Sequence, residues 1–169
     1  NLQVSVTYLL KDGALSLTYH AVSDKETICN LSNHVYFNLA GHASGNVGRQ
    51  KIQVYSDRYT PLGKSGAPEG EIHDVAGTPL DLQKPMAFQE HWDDDFPQIV
   101  QARGYDHNYL ISGTGMRPFA KAVCEENGIS LLVESDMPAM QLYTGNYLEN
   151  LPIGKQNAWY GIRSGFCME

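Results

Sequence analysis

The stretch VSVTYLLKDGALSLTY, residues 4–19, alternates apolar and polar side chains on both sides of one short break. The apolar residues recur at every second position, with Val4, Val6 and Tyr8 before the break and Leu15, Leu17 and Tyr19 after it. A period of two is typical of β-strands, and the break Lys11-Asp12-Gly13 has the composition of a tight turn. The stretch therefore predicts a β-hairpin.

The same pattern predicts a second hairpin later in the chain. Its arms are residues 120–124 and 129–133, joined by Glu125-Glu126-Asn127-Gly128, in which Asn-Gly supplies the positive φ that a tight turn needs. Further short strands are predicted at residues 27–30, 51–55, 109–112 and 139–143.

Helical patterns are few and short. The best one is residues 86–92, which follow Asp81-Leu82-Gln83-Lys84-Pro85 and precede an acidic run at 93–95, and it predicts one or two turns. Loops rich in Gly, Pro, Ser and Asp separate the strands, notably at 42–48 and 61–77.

Little helix and many antiparallel strands predict an all-β fold, an antiparallel β-sandwich. No repeat or change in composition divides the chain, so we expect a single domain over residues 1–169.

Composition excludes several classes of protein. A chain of 169 residues with 42% apolar content can bury a core. A net charge of −7 argues against a nucleic-acid partner, which would require clustered Lys and Arg. The chain lacks a long apolar run and the pattern of a signal peptide, so we expect no membrane partner. Three cysteines without CxxC spacing favour neither disulfides nor a zinc knuckle, and a reducing cytoplasm is the expected location.

Four segments carry the functional information. They are NLSNHVYFNLAG at 30–41, GYDHNY at 104–109, MQLYTGNY at 140–147 and GFCME at 165–169. In the first, a histidine lies among Asn, Tyr and Phe, a setting in which a polar hydroxylated ring could be held and protonated. In their order and approximate spacing the four segments resemble the aldose 1-epimerase (galactose mutarotase) family. The resemblance covers essentially the whole chain, as the middle and C-terminal portion of longer family members.

The resemblance implies both a fold and a reaction. Family members are galactose mutarotase-like supersandwiches of antiparallel strands with the sugar in a cleft of one sheet, and this chain would form part of one. They interconvert the α and β anomers of aldoses, a reaction in which one base and one acid open and reclose the ring. No metal, nucleotide or redox cofactor is needed, and the chain has no HExxH, Walker or dinucleotide motif.

Residue by residue, the resemblance implies four roles. Glu169 matches the family's base and His34 its general acid, while Asp106 and Gln141 match residues that bind sugar hydroxyls. The residue types suit these roles, because imidazole exchanges protons near neutrality and a carboxylate or amide bonds well to hydroxyls.

Neighbouring residues are expected to complete the site. Asn33 could orient His34, and Tyr36 could form a wall, since alternation places His34 and Tyr36 on one face and Phe37 on the other. Tyr143 shares a face with Gln141, although it would also suit the core. His107 would point away from Asp106 and is given no role.

Alternatives remain at the level of sequence. Locally, Glu169 could be an unanchored terminal residue, His34 a structural histidine and Asp106 part of an Asx turn. A non-catalytic carbohydrate-binding β-sandwich would keep Asp106 and Gln141 without turnover. A relative acting on sugar phosphates would need clustered arginines, and the arginines here are scattered at Arg58, Arg103, Arg117 and Arg163.

One part of the family pattern lies outside this chain. The family also uses an arginine and a second histidine from an Asn-x-Leu-His-Gly-Gly-like segment of its N-terminal portion, which this sequence does not contain. We therefore expect two partners, a small-molecule aldose substrate and the N-terminal part of the same protein. This chain alone is then expected to be inactive.

Overall fold

The computed structural model describes residues 1–169 and forms two compact units, Asn1–Asn33 and His34–Glu169. The first unit is the predicted hairpin. Strand β1, Leu2–Lys11, pairs antiparallel with β2, Ala14–Ser23, in a regular ladder. The turn residues Asp12 and Gly13 have φ of 51° and 76°, the left-handed values that two-residue hairpin turns require. The hairpin prediction is confirmed.

The strand predicted at residues 27–30 is wrong. These residues form no ladder and are all exposed, and the side chain of Ile28 is 92% exposed. A strand is stabilised by the hydrogen bonds of a neighbouring strand, and these four residues have no such partner strand.

The second unit contains nine short strands and little helix. The strands are β3, Lys51–Val54; β4, Arg58–Thr60; β5, His73–Asp74; β6, Met86–Ala87; β7, Asp106–Leu110; β8, Arg117–Val123; β9, Ser130–Ser135; β10, Ala139–Tyr143; and β11, Cys167–Met168. The helical elements are α1, Pro97–Ala102, and two 3₁₀ turns, Phe88–Glu90 and Lys155–Asn157. No helix of the structure has the length and apolarity needed to cross a bilayer.

These strands form two antiparallel sheets. One has the order β11-β10-β7-β4-β5 and the other β6-β3-β8-β9. Both sheets contribute to one buried apolar cluster, which includes Tyr109 and Met140 from the first sheet and Ile52 and Phe119 from the second. Such a shared core is the arrangement of a β-sandwich, so the predicted fold class is confirmed.

Most strand predictions in this unit hold. The second hairpin is β8-β9, residues 51–55 contain β3, and residues 139–143 match β10. The strand predicted at 109–112 in fact begins at Asp106 and ends at Leu110. The earlier start has a functional consequence, because it puts Asp106 in the paired part of the sheet.

The helix prediction for residues 86–92 holds for one short turn and is wrong at its start. Met86 and Ala87 pair with β3 as an edge strand, and only Phe88–Glu90 form a 3₁₀ turn. The sequence reading missed α1, which has Pro97 at its first position and Arg103, with φ of 58°, at its C-cap. Proline at the start and a left-handed residue at the end are the usual limits of a short helix.

Candidate active site

Two rows of side chains lie across the outer face of strands β11, β10 and β7. In the first row Cys167 pairs with Tyr143, and Tyr143 pairs with Asp106. The next residues on this face are Glu169 and Gln141, two positions along each strand. The intervening residues Met140, Leu142 and Met168 face the buried core. Strand alternation therefore collects acidic, amide, thiol and phenol groups on one face.

The main chain of Glu169 extends the ladder beyond β11. Its N–H donates to the carbonyl of Gln141 and its carbonyl accepts from the N–H of Gln141, both at 2.9 Å. The Glu169 side chain is 19% exposed. The carboxylate is therefore held at a fixed place beside Gln141.

An extended segment brings His34 to this face. The N–H of Phe37 donates to the carbonyl of Phe166 at 2.8 Å, and the N–H of Phe166 donates back at 3.0 Å. The Phe37 ring packs against Phe166, with centroids 5.9 Å apart, and joins the core. His34 and Tyr36 lie on the exposed side, with ring centroids 5.0 Å apart. This is the alternation that the sequence predicts.

The imidazole of His34 lies between a carboxylate and a thiol. Its Nε2 is 3.2 Å from Glu169 Oε1, and its Nδ1 is 3.3 Å from Cys167 Sγ. A protonated ring donates from Nε2 to the carboxylate and from Nδ1 to the sulfur, whereas a neutral ring can accept the thiol proton at Nδ1. The two residues predicted as acid and base are thus in direct contact.

Asp106 and Gln141 also contact one another. Gln141 Nε2 donates to Asp106 Oδ1 at 2.7 Å. Burial raises the pKa of Asp106, while the hydrogen bond from Gln141 and the nearby His34 lower it. The bond fixes the amide so that its carbonyl oxygen is free to accept, while the second carboxylate oxygen of Asp106 is free to accept hydroxyl protons.

The environment of Glu169 raises the pKa of its carboxyl. Burial raises the pKa of this carboxyl most, the nearby His34 lowers it, and the negative charge of Asp106 raises it further. A carboxylate with a raised pKa is a stronger base than an exposed one, provided that it is ionised at the working pH.

Two tyrosines form a wall beside these groups. The Tyr143 ring lies 6.1 Å from His34 and 6.2 Å from Tyr36, edge to face in both cases. Burial, with nearby acidic groups, raises the pKa of Tyr36 to about 12, and burial also raises the pKa of Tyr143. Both phenols therefore remain protonated near neutrality, and the half-exposed Tyr36 offers an aromatic surface.

Buried polar side chains in the segment after β10 form hydrogen bonds with the backbone just before Asp106. Asn146 is buried, and its Nδ2 donates to the carbonyls of Ala102 and Tyr105 at 2.8 and 2.9 Å. Thr144 Oγ1 accepts from the N–H of Tyr105 at 3.1 Å. Gly104 has φ of +136°, and a Cβ there would lie 2.6 Å from Asn146 Oδ1. These bonds tie the start of β7 to the chain that follows β10.

The structure brings five of the six predicted site residues together: His34, Tyr36, Asp106, Gln141 and Glu169. Asn33 is the half-buried last residue of the first unit, and its role in orienting His34 stays a prediction. His107 is fully buried, which lowers its pKa to about 4, and its Nδ1 accepts from the N–H of Asp106 at 3.1 Å. It faces the core, as alternation predicts.

Cys167 is the site residue that the sequence reading missed. It lies two positions before Glu169, so the period of a strand already placed both side chains on one face. Burial and the charges of Glu169 and Asp106 raise the pKa of its thiol to about 12. The donor atoms of Cys167, His34 and Glu169 all lie within 4.8 Å of one another, a spacing at which a metal ion could be held.

Comparisons with known proteins agree on one family. The sequence model of the aldose 1-epimerase family matches residues 1–169. The chain is 38% identical to the galactose mutarotase of Homo sapiens over 169 residues, and 37% identical to the aldose 1-epimerase of Escherichia coli (strain K12) over 157 residues. These matches cover 99% and 90% of this chain, and 48% and 44% of the two relatives. The chain thus spans about half the length of the curated relatives it matches.

Solved structures give the same result. A galactose 1-epimerase from Lactobacillus acidophilus NCFM superposes with a TM-score of 0.83 at 31% identity, covering 99% of this chain and 47% of that one. An aldose epimerase homologue from C. elegans superposes with a TM-score of 0.85 at 22% identity, covering 99% and 49%, and this likeness bears on the fold alone. Because the family match extends over every residue, the chain belongs to the aldose 1-epimerase family.

Proposed function

We propose that the protein containing this chain is an aldose 1-epimerase, which interconverts the α and β anomers of hexoses such as galactose or glucose. The observation that carries the proposal is the contact between His34 Nε2 and Glu169 Oε1 at 3.2 Å. It joins an acid and a base beside the Asp106–Gln141 pair. The curated names of the relatives, galactose mutarotase and aldose 1-epimerase, support the same reaction.

The proposed mechanism uses two proton transfers. Ionised Glu169 takes the proton of the C1 hydroxyl while protonated His34 gives its Nε2 proton to the ring oxygen, and the bond between C1 and the ring oxygen breaks. The open aldehyde turns about the C1–C2 bond. Reclosure returns one proton from Glu169 to the C1 oxygen and one from the ring oxygen to His34. The side chains end as they began.

The remaining residues are proposed to bind the sugar. Asp106 accepts hydrogen bonds from hydroxyls, and Gln141 accepts through its carbonyl oxygen while its N–H is held by Asp106. Tyr36 and Tyr143 provide an aromatic wall beside His34. Fixing the pyranose in this way increases the rate, because the reacting atoms are already in place.

Two further parts of the proposal concern the N-terminal part of the protein and its location in the cell. We infer that the N-terminal part of the same protein contributes to sugar binding, since this chain spans about half the length of its relatives. We also infer a cytoplasmic location, which the three unpaired cysteines Cys29, Cys124 and Cys167 support.

Substitution of the two reacting residues tests the proposal. In the protein expressed from its natural gene, His34→Asn and Glu169→Gln should each lower kcat by about 10²- to 10⁴-fold, the usual contribution of an acid or base. Each should change the dissociation constant for galactose much less, because neither substitution removes Asp106 or Gln141. Turnover is measured by polarimetry and binding by calorimetry.

Glu126→Gln is the matched control. Glu126 is an exposed carboxylate that contacts Arg49, outside the candidate site, and its substitution should leave turnover unchanged. A non-catalytic carbohydrate-binding protein would instead show no turnover before substitution and only a loss of affinity after it. That outcome would overturn the proposal.

A further inference from the structure

We propose that Cys167, His34 and Glu169 form an inhibitory binding site for Zn²⁺ on the outer face of the sheet. The metal site stands on its own geometry, whereas its competition with sugar rests on the function proposed above. The three residues offer one sulfur, one nitrogen and one oxygen donor, and these atoms lie within 4.8 Å of one another. Zinc sites with three protein ligands use these same donor types.

The distances suit a small ion after a modest adjustment. Zinc bonds of about 2.0 to 2.3 Å in a tetrahedron separate two ligand atoms by about 3.3 to 3.6 Å. The observed separations from His34 are 3.3 Å to sulfur and 3.2 Å to oxygen, although they involve different ring nitrogens. Binding through one nitrogen requires the imidazole or the carboxylate to rotate. The His34 side chain is 51% exposed and has room to do so.

Charge and proton balance are satisfied in the complex. Cys167 releases its thiol proton to solvent and binds as thiolate, Glu169 binds as carboxylate, and His34 binds through a neutral nitrogen. The two negative charges neutralise the ion. Solvent can take the fourth position on the exposed side of His34, as in zinc sites that keep an open coordination place.

The ligand set selects the class of metal. Thiolate and imidazole prefer zinc and similar borderline or soft cations, whereas Mg²⁺ and Ca²⁺ prefer oxygen ligands. A zinc ion here would occupy both His34 and Glu169. It would therefore exclude the sugar from its acid and base, and inhibition should be competitive with the aldose.

Direct metal binding tests the site without relying on activity. Zn²⁺ is titrated into the metal-free protein, expressed from its natural gene, in competition with a chromophoric chelator, and Mg²⁺ serves as the comparison ion. Cys167→Ser should weaken zinc binding by more than about 100-fold, since losing an outer-shell partner alone costs 10- to 100-fold. Co²⁺ should give a thiolate-to-cobalt charge-transfer band that disappears in the same variant.

Controls separate the cluster from adventitious thiol binding. Cys29→Ser removes the exposed cysteine and should leave the affinity unchanged, whereas His34→Asn should weaken it as Cys167→Ser does. Equal zinc affinity in the natural protein and in Cys167→Ser or His34→Asn would overturn the proposal. So would loss of binding in Cys29→Ser.

Competition with sugar separates this proposal from the proposed function. Saturating galactose should raise the apparent dissociation constant for zinc. If zinc binds through Cys167 but galactose leaves its affinity unchanged, the metal site stands and its inhibitory role is overturned. If the protein turns over galactose yet binds no zinc, the metal proposal fails and the epimerase proposal survives.

Discussion

At the scale of single residues, Glu169 combines a fixed main chain with an environment that raises the pKa of its carboxyl. The hydrogen bonds to Gln141 hold its backbone, and burial raises the pKa of its carboxyl above the ordinary value of 4.5. Only the ionised carboxylate can act as the proposed base. Activity is therefore lost as the pH falls through this raised pKa, and we predict that the acidic limb of kcat/KM lies above pH 4.5.

Asp106→Asn tests the direction in which Asp106 shifts the pKa of Glu169. The negative charge of Asp106 raises the pKa of Glu169, so its removal should move the acidic limb of kcat/KM to lower pH, although activity should fall because a proposed sugar ligand is lost. Asp57→Asn changes an exposed carboxylate beside Arg58 and should leave the limb unmoved. An acidic limb that moves to higher pH in Asp106→Asn would contradict this account of Glu169.

The members of the candidate site could be predicted from the sequence, but their contacts with one another could not. Resemblance assigned roles to His34, Glu169, Asp106 and Gln141, and strand alternation placed Gln141 and Tyr143 on one face. His34 reaches Cys167 because Phe37, three residues later, pairs with Phe166. Phe37 and Phe166 are distant in the sequence. Local patterns do not encode such a long-range pairing.

At the scale of elements, the junction before β7 depends on one glycine. Gly104 has φ of +136° and lies against the buried amide of Asn146, so an added Cβ would face both backbone strain and a 2.6 Å contact. We predict that Gly104→Ala lowers the free energy of unfolding by about 1 to 3 kcal/mol or more, and weakens sugar binding through Asp106. Urea denaturation and calorimetry measure the two effects.

Gly128→Ala is the matched comparison for this substitution. Gly128 has a similar left-handed requirement, with φ of +77°, but no atom lies within 4 Å of an added Cβ. It should cost only the backbone strain of about 1 to 2 kcal/mol and leave sugar binding intact. Equal destabilisation in the two variants would show that the contact with Asn146 contributes nothing.

Regular elements were predictable where one local rule dominated. The β1-β2 and β8-β9 hairpins follow from alternation and turn residues that agree with one another. At Met86 and Ala87 the pairing with β3 overrode a weak helical pattern, because an edge position in a sheet satisfies backbone groups that a short helix leaves free. Tertiary pairing of this kind cannot be read from a short window of sequence.

At the scale of the whole molecule, the hairpin β1-β2 carries much exposed apolar surface. Every residue of β1 is exposed, and the apolar side chains of Val4, Val6 and Tyr8 are 38% to 64% exposed. Exposed apolar strands with free edges favour association. We predict that residues 1–169 expressed alone self-associate, which sedimentation velocity would detect as species larger than 18.7 kDa.

The protein expressed from its natural gene is the control for this prediction. Within the protein expressed from its natural gene, association through this hairpin should be absent, because its apolar face is expected to be covered by the rest of the polypeptide. A monomeric 1–169 chain that melts in one cooperative transition would contradict the prediction.

The central claim, that His34 and Glu169 belong to a sugar-opening site, is tested most directly by polarimetry of freshly dissolved α-D-galactose. The protein expressed from its natural gene is compared with residues 1–169 alone and with the uncatalysed rate. We predict marked acceleration by the natural protein and a much weaker effect from residues 1–169, since we expect the N-terminal part of the protein to contribute to sugar binding. No acceleration by the natural protein, while it still binds galactose, would contradict the account.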